Sequence, residues 1–299
     1  MKLGDFSRQS FLGEHSEETL AQARVAIVGL GGGGSHIAQQ LAHIGVGEFR
    51  LFDPDIIEAS NLNRLVTATQ KDVDAKRPKV EILKRYILRV RPWTKVMAVQ
   101  EPWQDARELL RDAHVVFGCV DSFQGRKNLE ALCRRYLLPY IDIGMSVEEL
   151  QSGHYAVSGQ MIATWPEGPC LTCLGFITEE RLEREEEGYG DAGEVPQVVW
   201  TNGVLASLAV GTFIQSVSPW HSTTDKGFIW LDLEGNRQTV APNQLAGRLA
   251  PSKCPHFDNV TAVGDPKFKL QTAVVAKPRG FLAALQRLAV RLGILRPSR

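Results

Sequence analysis

The chain has 299 residues, 43% of them hydrophobic, which is enough apolar material for one large α/β core or two modest ones and excludes a disordered chain. Its 34 basic and 34 acidic residues cancel, so bulk charge steers it toward neither nucleic acid nor a membrane surface. No apolar run approaches the roughly 20 residues that span a bilayer, and Met1–Gly13 lacks the apolar core of a secretory signal, so the expected location is cytoplasmic. Five cysteines, an odd number scattered along the chain, argue against a disulfide framework and leave metal binding or thiol chemistry open.

In chain order, RVAIVGL at 24–30 is a β-branched run with little polar interruption, the pattern of a parallel strand covered on both faces. Gly29, Gly31, Gly32, Gly33 and Gly34 follow, and then HIAQQLAHIG, a helix with Ser35 near its N-cap and Gly45 closing it. A second strand is expected at 48–53, a helix opening near Pro78, a strand at 114–120, a helix around 125–137 and a strand at 139–143. That alternation predicts an α/β fold with a Rossmann-like, doubly wound, mainly parallel sheet. From His154 to Trp165 the pattern becomes alternating, and the runs 228–233 and 237–240 flank a Glu-Gly-Asn turn, so antiparallel strands are expected to extend the sheet. Between the halves, Thr178–Pro196 reads as a charged helix followed by a mobile loop, and GVLASLAVGTFIQSV at 203–217 as a buried helix. Beyond Asp258, prolines break the tail around one amphipathic stretch, Phe281–Leu295, with arginines about its apolar face, suited to a partner, an anionic membrane or its own domain. The expected division is a domain at 1–257, with a loop crossing the site at about 176–198, and a tail at 258–299.

A glycine cluster between strand and helix lets a phosphate approach the backbone while the helix N-terminus supplies partial positive charge and N–H donors. Asp53, about 20 residues past the glycines, stands where a ribose hydroxyl is usually held. These features alone fit an NAD or FAD enzyme equally well. The stretches that follow separate the readings. With an Arg-Gln near the start (Arg8, Gln9), an S-N-L-x-R motif (Ser60–Arg64), a P-K-V-E (Pro78–Glu81), a C-x-D (Cys119, Asp121) and a P-C-x-x-C (Pro169–Cys173), the sequence resembles the family of ThiF, MoeB and HesA and the adenylation domains of ubiquitin-activating enzymes, over about 7–217.

The resemblance implies an ATP- and Mg²⁺-dependent adenylyltransferase acting on the C-terminal carboxylate of a ubiquitin-like protein or peptide. Both reactants are anionic, so cations must bring them together and stabilise the transition state. By resemblance, Asn61 and Arg64 contact phosphates, Lys79 reaches the reacting phosphates, Asp53 holds the ribose and Asp121 coordinates Mg²⁺. Arg8 is implied to enter the site of a second subunit, hence a homodimer. The ubiquitin-like partner would serve a conjugating or a sulfur-transfer protein downstream. No nucleic acid is expected as a partner.

The sequence departs from the family pattern in two respects. Cys170 and Cys173 suit half of a structural tetrahedral Zn²⁺ site, but only one later cysteine exists, so a site completed by Cys254 and His256 has an unusual C-x-H spacing. No cysteine lies between Cys173 and Cys254, so the crossing loop around VPQVVW lacks a thiol, and the reaction is open to stopping at the acyl-adenylate. Cys119 and Cys133 are expected at structural positions rather than as nucleophiles. Two other readings stand beside this one: a dinucleotide-dependent oxidoreductase, which leaves Asn61, Arg64 and Lys79 without roles, and a non-catalytic scaffold, against which the presence of Arg8, Arg64, Lys79 and Asp121 argues.

Overall fold

The structure, a computed structural model, describes residues 7–188, 196–218, 220–221 and 227–244. The chain divides into Met1–Gly264 and Asp265–Arg299, and the second unit lies outside the described residues together with the amphipathic stretch 281–295.

The first unit opens with a 3-10 turn at Ser7–Leu12 and helix α1 at Ser16–Gln22. Then β1 (Arg24–Val28), α2 (Gly32–Ile44), β2 (Glu48–Phe52), α3 (Gln70–Asp74), α4 (Lys79–Val90), β3 (Lys95–Val99) and β4 (Val115–Gly118) follow. The remainder is α5 (Phe123–Arg135), β5 (Tyr140–Glu149), β6 (Tyr155–Thr164), α6 (Glu179–Gly188), α7 (Val199–Val217), β7 (Phe228–Glu234) and β8 (Thr239–Pro242). The strands form an eight-stranded sheet in the order β3-β2-β1-β4-β5-β6-β7-β8. The β3-to-β5 section is parallel, and β5 to β8 pair antiparallel. The doubly wound parallel sheet extended by antiparallel strands is therefore present, and the 228–240 hairpin closes with Glu234 opposite Thr239.

Central strands carry apolar side chains on both faces because helices cover both. Val25 and Ile27 of β1 join Ile37 and Leu41 of α2, Leu83 and Ile87 of α4, and Leu205 and Phe213 of α7 in one cluster. Ala26 and Val28 point the other way, into a cluster with Leu129 of α5, Ile162, Leu171 and Phe176. Helix α7 is apolar around most of its circumference because it lies in the first layer, where Phe213 meets Phe117 edge-on at 6.0 Å.

Three local expectations are corrected. Helix α2 begins at Gly32 with Gly31 as N-cap, so Ser35 is inside the first turn, its hydroxyl donating to the Gly32 carbonyl at 2.9 Å. The strand Lys95–Val99, absent from the sequence reading, pairs with β2 at the sheet edge. Strand β5 runs on to Glu149, because its antiparallel partner β6 carries the ladder past the end of β4. Helix α2 itself, by contrast, stops where expected, with Gly45 as its C-cap at φ 100°.

Helix α5 is fastened at its far end as well as its near one. The carboxylate of Glu130, 2% exposed, accepts from the Leu171 backbone at 2.9 Å and the Thr164 hydroxyl at 3.0 Å, and Arg134 donates to the Gly168 carbonyl at 2.8 Å. These contacts place the turn that carries Cys170 and Cys173 against the helix.

Candidate functional site

In an open α/β sheet the place to look is the crevice beyond the strand carboxyl ends where the order reverses, which here is between β1 and β4. The glycine turn sits there. Gly29 has φ +87° and donates to the Phe52 carbonyl at 2.9 Å, and a Cβ on it would overlap the Cys119 carbonyl. The turn is therefore pressed between the ends of β2 and β4. It feeds into α2, whose opening glycines, Gly32 to Gly34, present N–H groups without partners from a preceding turn.

Asp53, directly after β2, grips this turn. Its carboxylate accepts from the Leu30 backbone at 2.7 Å and the Asp55 backbone at 2.9 Å, with Lys79 Nζ at 3.9 Å. Lys79 opens α4, and its ammonium sits 2.7 Å from the Asp55 carboxylate. Burial raises the Asp53 pKa and the Lys79 charge opposes the rise. Asp53 and Lys79, separated by 26 positions in sequence, thus form one charged group beside the glycine turn.

The Ser60–Arg64 motif forms a 3-10 turn at Ala59–Asn61 and its continuation. Asn61 Oδ1 accepts from the Glu58 backbone at 3.2 Å, and Arg64 Nη1 donates to the Ser60 carbonyl at 2.8 Å and to Asn63 Oδ1 at 3.0 Å. Asn63 in turn donates to the Gln197 carbonyl at 3.4 Å, while Gln197 Nε2 donates to Asp121 Oδ1 at 3.5 Å. Gln197, in the segment entering α7, therefore connects the Ser60–Arg64 turn with Asp121. Arg8 is exposed on the turn at 7–12, and no described contact joins it to these groups.

A cavity of about 230 Å³ lies against the glycine turn, lined by Gly32, Gly33, Asp121, Arg126, Gly144 and Asn202 among others. Asp121 is exposed at the foot of α5, a lone carboxylate that suits Mg²⁺ held mostly by phosphate oxygens and water. Arg126 was not singled out in sequence. It is buried and paired with Asp142, which is fully buried on β5 and also accepts from the Tyr140 hydroxyl at 2.7 Å. The signal for it was there, since Asp142 interrupts an apolar strand, and a charge in such a place requires a counter-ion.

Cys170 and Cys173 are buried with their sulfurs 3.6 Å apart. Two thiolates sharing a tetrahedral zinc at about 2.3 Å stand about 3.8 Å apart, so the spacing fits two ligand positions of one Zn²⁺. Cys254 and His256 lie outside the described residues, and among the described residues no group of three or more His, Cys, Asp or Glu side chains is placed to hold a metal. Burial holds the Cys119 and Cys133 thiols well above their usual range, with Asp142 adding to the effect on Cys119 and Glu130 to that on Cys133, which disfavours either as a nucleophile. No described helix is long and apolar enough to cross a membrane.

Comparison with known proteins places this geometry. The sulfur carrier protein ThiS adenylyltransferase of Escherichia coli K12 is 28% identical over 210 residues, covering 68% of this chain and 78% of its own. The SAMP-activating enzyme E1 of Haloferax volcanii is 31% identical over 165 residues, 54% of this chain and 57% of that one. The molybdopterin-synthase adenylyltransferase of E. coli K12 is 32% identical over 168 residues, 55% and 63% respectively. Among solved structures, E. coli MccB with ATP shares the fold, with a TM-score of 0.66 at 21% identity over 82% of this chain and 72% of that one. The ThiF family model matches residues 6–250, spanning the glycine turn, Asp53, Lys79, Asp121 and the cysteine pair: the chain belongs to the ThiF family.

Proposed function

We propose that the protein adenylates the C-terminal carboxylate of a ubiquitin-like protein, the carboxylate attacking the α-phosphorus of ATP with release of pyrophosphate. The observation that carries this reading is the glycine turn at the sheet's switch point, gripped by Asp53 on one side and opening on the other into a cavity that also contains Asp121. An adenylate-forming site needs those parts: a cradle for phosphate, an acid for ribose, a carboxylate for the metal, and cations for the reacting oxygens.

In this reading Asp53 holds the ribose, and Asn61, Arg64 and Lys79 meet the phosphates. Nucleotide binding draws Lys79 from Asp55, a surface carboxylate 60% exposed and easily released. Asp121 is the residue that would hold Mg²⁺, which supplies charge neutralisation at the phosphates. Arg8, which no described contact joins to these groups within its own chain, acts in the site of a second subunit of a homodimer. The Cys170–Cys173 turn, completed from outside the described residues, is the place for a structural Zn²⁺. The reaction takes place in the cytoplasm, and the adenylate passes to a conjugating or a sulfur-transfer protein.

The test is pyrophosphate exchange into ATP with purified protein, Mg²⁺ and a candidate ubiquitin-like protein with its native C-terminus. Exchange that requires the carboxylate carrier supports the reading. Intact ATP binding without exchange for any carrier refutes it.

A further inference from the structure

Among the described residues lining the cavity, Arg126 is the cation. It stands on α5, five positions after Asp121, and is 7% exposed. Asp142 and the Ile143 carbonyl, the latter at 3.2 Å, hold its Nη1 edge, and the Tyr140 hydroxyl donates to Asp142 from behind. The opposite edge, Nη2, lies beneath Gly144. A Cβ on Gly144 would collide with that nitrogen and come within 2.7 Å of Gln160 Nε2, so glycine is what lets the two donors converge under the cavity wall. Lys79 and Arg64, assigned above to the phosphates, are not among the residues lining this cavity. A buried ion pair is a weak source of stability, because desolvation offsets much of the attraction. Its position in the wall of this cavity is accounted for if the cation must face an anionic ligand in one fixed direction.

We infer that Arg126, aimed by Asp142 and Tyr140, binds the C-terminal carboxylate of the incoming polypeptide, whose last residue passes over Gly144. The inference rests on the adenylation reading above. One carboxylate oxygen forms the bond to the α-phosphorus as the bond from that phosphorus to the departing pyrophosphate oxygen breaks, and no proton moves. A guanidinium, always charged and bidentate, suits a step in which the group must orient a carboxylate without exchanging a proton with it.

The test is a thermodynamic cycle between side chain and substrate carboxylate. The ubiquitin-like carrier that supports pyrophosphate exchange is prepared with its native C-terminus and as the C-terminal carboxamide, and both are titrated calorimetrically without ATP. Amidation is expected to weaken binding to the wild-type protein about tenfold or more. It should change binding by less than about twofold in Arg126→Gln/Asp142→Asn, which removes both buried charges together and leaves neither unpaired. A second variant, Gly144→Ala, displaces the guanidinium while keeping its charge. It should raise the carrier KM about tenfold while the ATP KM stays within about twofold. An amidation effect of equal size in the wild-type and double-variant proteins, or a Gly144→Ala change shared equally by both substrates, overturns the inference. Absence of exchange by the wild-type protein with every carrier overturns the adenylation reading instead.

Discussion

Glu185→Ala is expected to loosen the first turn of α5 while leaving the rest of the domain intact. The Glu185 carboxylate, on α6, accepts from the Phe123 backbone at 2.6 Å and the Gln124 backbone at 2.9 Å. Ser122 supplies the rest, its hydroxyl accepting from Gly125 at 2.9 Å and its carbonyl from Arg126 at 3.0 Å. The early N–H groups of a helix have no partners of their own, so half of this end's satisfaction comes from another element. A side-chain acceptor at a helix N-terminus contributes about 1 kcal/mol, and its negative charge adds about 0.5 kcal/mol at a half-exposed position. The loss is therefore about 1.5 kcal/mol, equivalent to a roughly tenfold rise in local opening. Arg181 still rests on Phe123 at 5.4 Å and Phe176 at 5.3 Å, so α6 should remain docked. Native-state hydrogen exchange measures this directly, with the amides of Phe123 to Arg126 compared against those of α4 as an internal reference. Because Asp121 immediately precedes the turn, the Mg²⁺ concentration for half-maximal exchange activity should rise in parallel. Unchanged protection at Phe123 and Gln124, or a uniform loss across the domain, would refute the argument that Glu185 acts locally on the helix end.

Three further outcomes are expected. Gly34→Ala places a methyl group on the Gly29 carbonyl oxygen, a backbone atom that cannot move aside, and should destabilise the domain by about 3 kcal/mol; an unchanged urea midpoint contradicts the close packing of turn and helix. Lys79→Ala should lower kcat/KM for pyrophosphate exchange by about 100-fold or more with thermal unfolding little altered, and retained activity removes Lys79 from the site. Asp72 is buried between Arg85, at 2.7 and 2.8 Å, and Arg77, at 3.0 Å, and the Arg85 hydrogen bonds hold its carboxyl well below the usual carboxylate range. Its folded pKa is depressed, so its contribution is present above about pH 4 and lost as pH falls through the folded value. Asp72→Asn should accordingly cost about 2 kcal/mol at pH 7, with the gap to wild type closing under acid. A gap that is constant with pH would show that the charge of Asp72 contributes nothing.

The first half of the site was legible because its signals are local. A strand, a glycine run and a helix occupy 24–45 without interruption, and Asp53 follows at a spacing set by one strand and one turn. Lys79 was legible only through its motif, but its meeting with Asp53 follows from topology, since α4 starts beside the end of β2. Lys95–Val99 escaped notice because an edge strand need bury little: Lys95 and Met97 are exposed, so neither a buried run nor a strict alternation marks it. Ser35 misled because an N-cap preference is weaker than the permission glycine gives a helix to start earlier, here at Gly32. Arg126 and Asp142 come from different elements and meet only after β5 has been laid beside β4, so their pairing has no local pattern. Gln197 lay in a segment read only for its missing thiol, whereas its amide makes the contact.

Helix α5 has tasks at both ends, and this bears on which changes to its length the protein can accept. Asp121 and Arg126 belong to the cavity, while Glu130 and Arg134 hold the backbone leading to Cys170. Each residue of an α-helix turns the chain by about 100°, so inserting or deleting one position between Arg126 and Glu130 would swing one group of side chains off its target however the other was fitted. The surface loops joining other elements can lengthen without such a conflict. This stretch, half of it facing solvent, is thus among the least free to vary in length, and the spacing from cavity to cysteine turn is set by a count of helical residues.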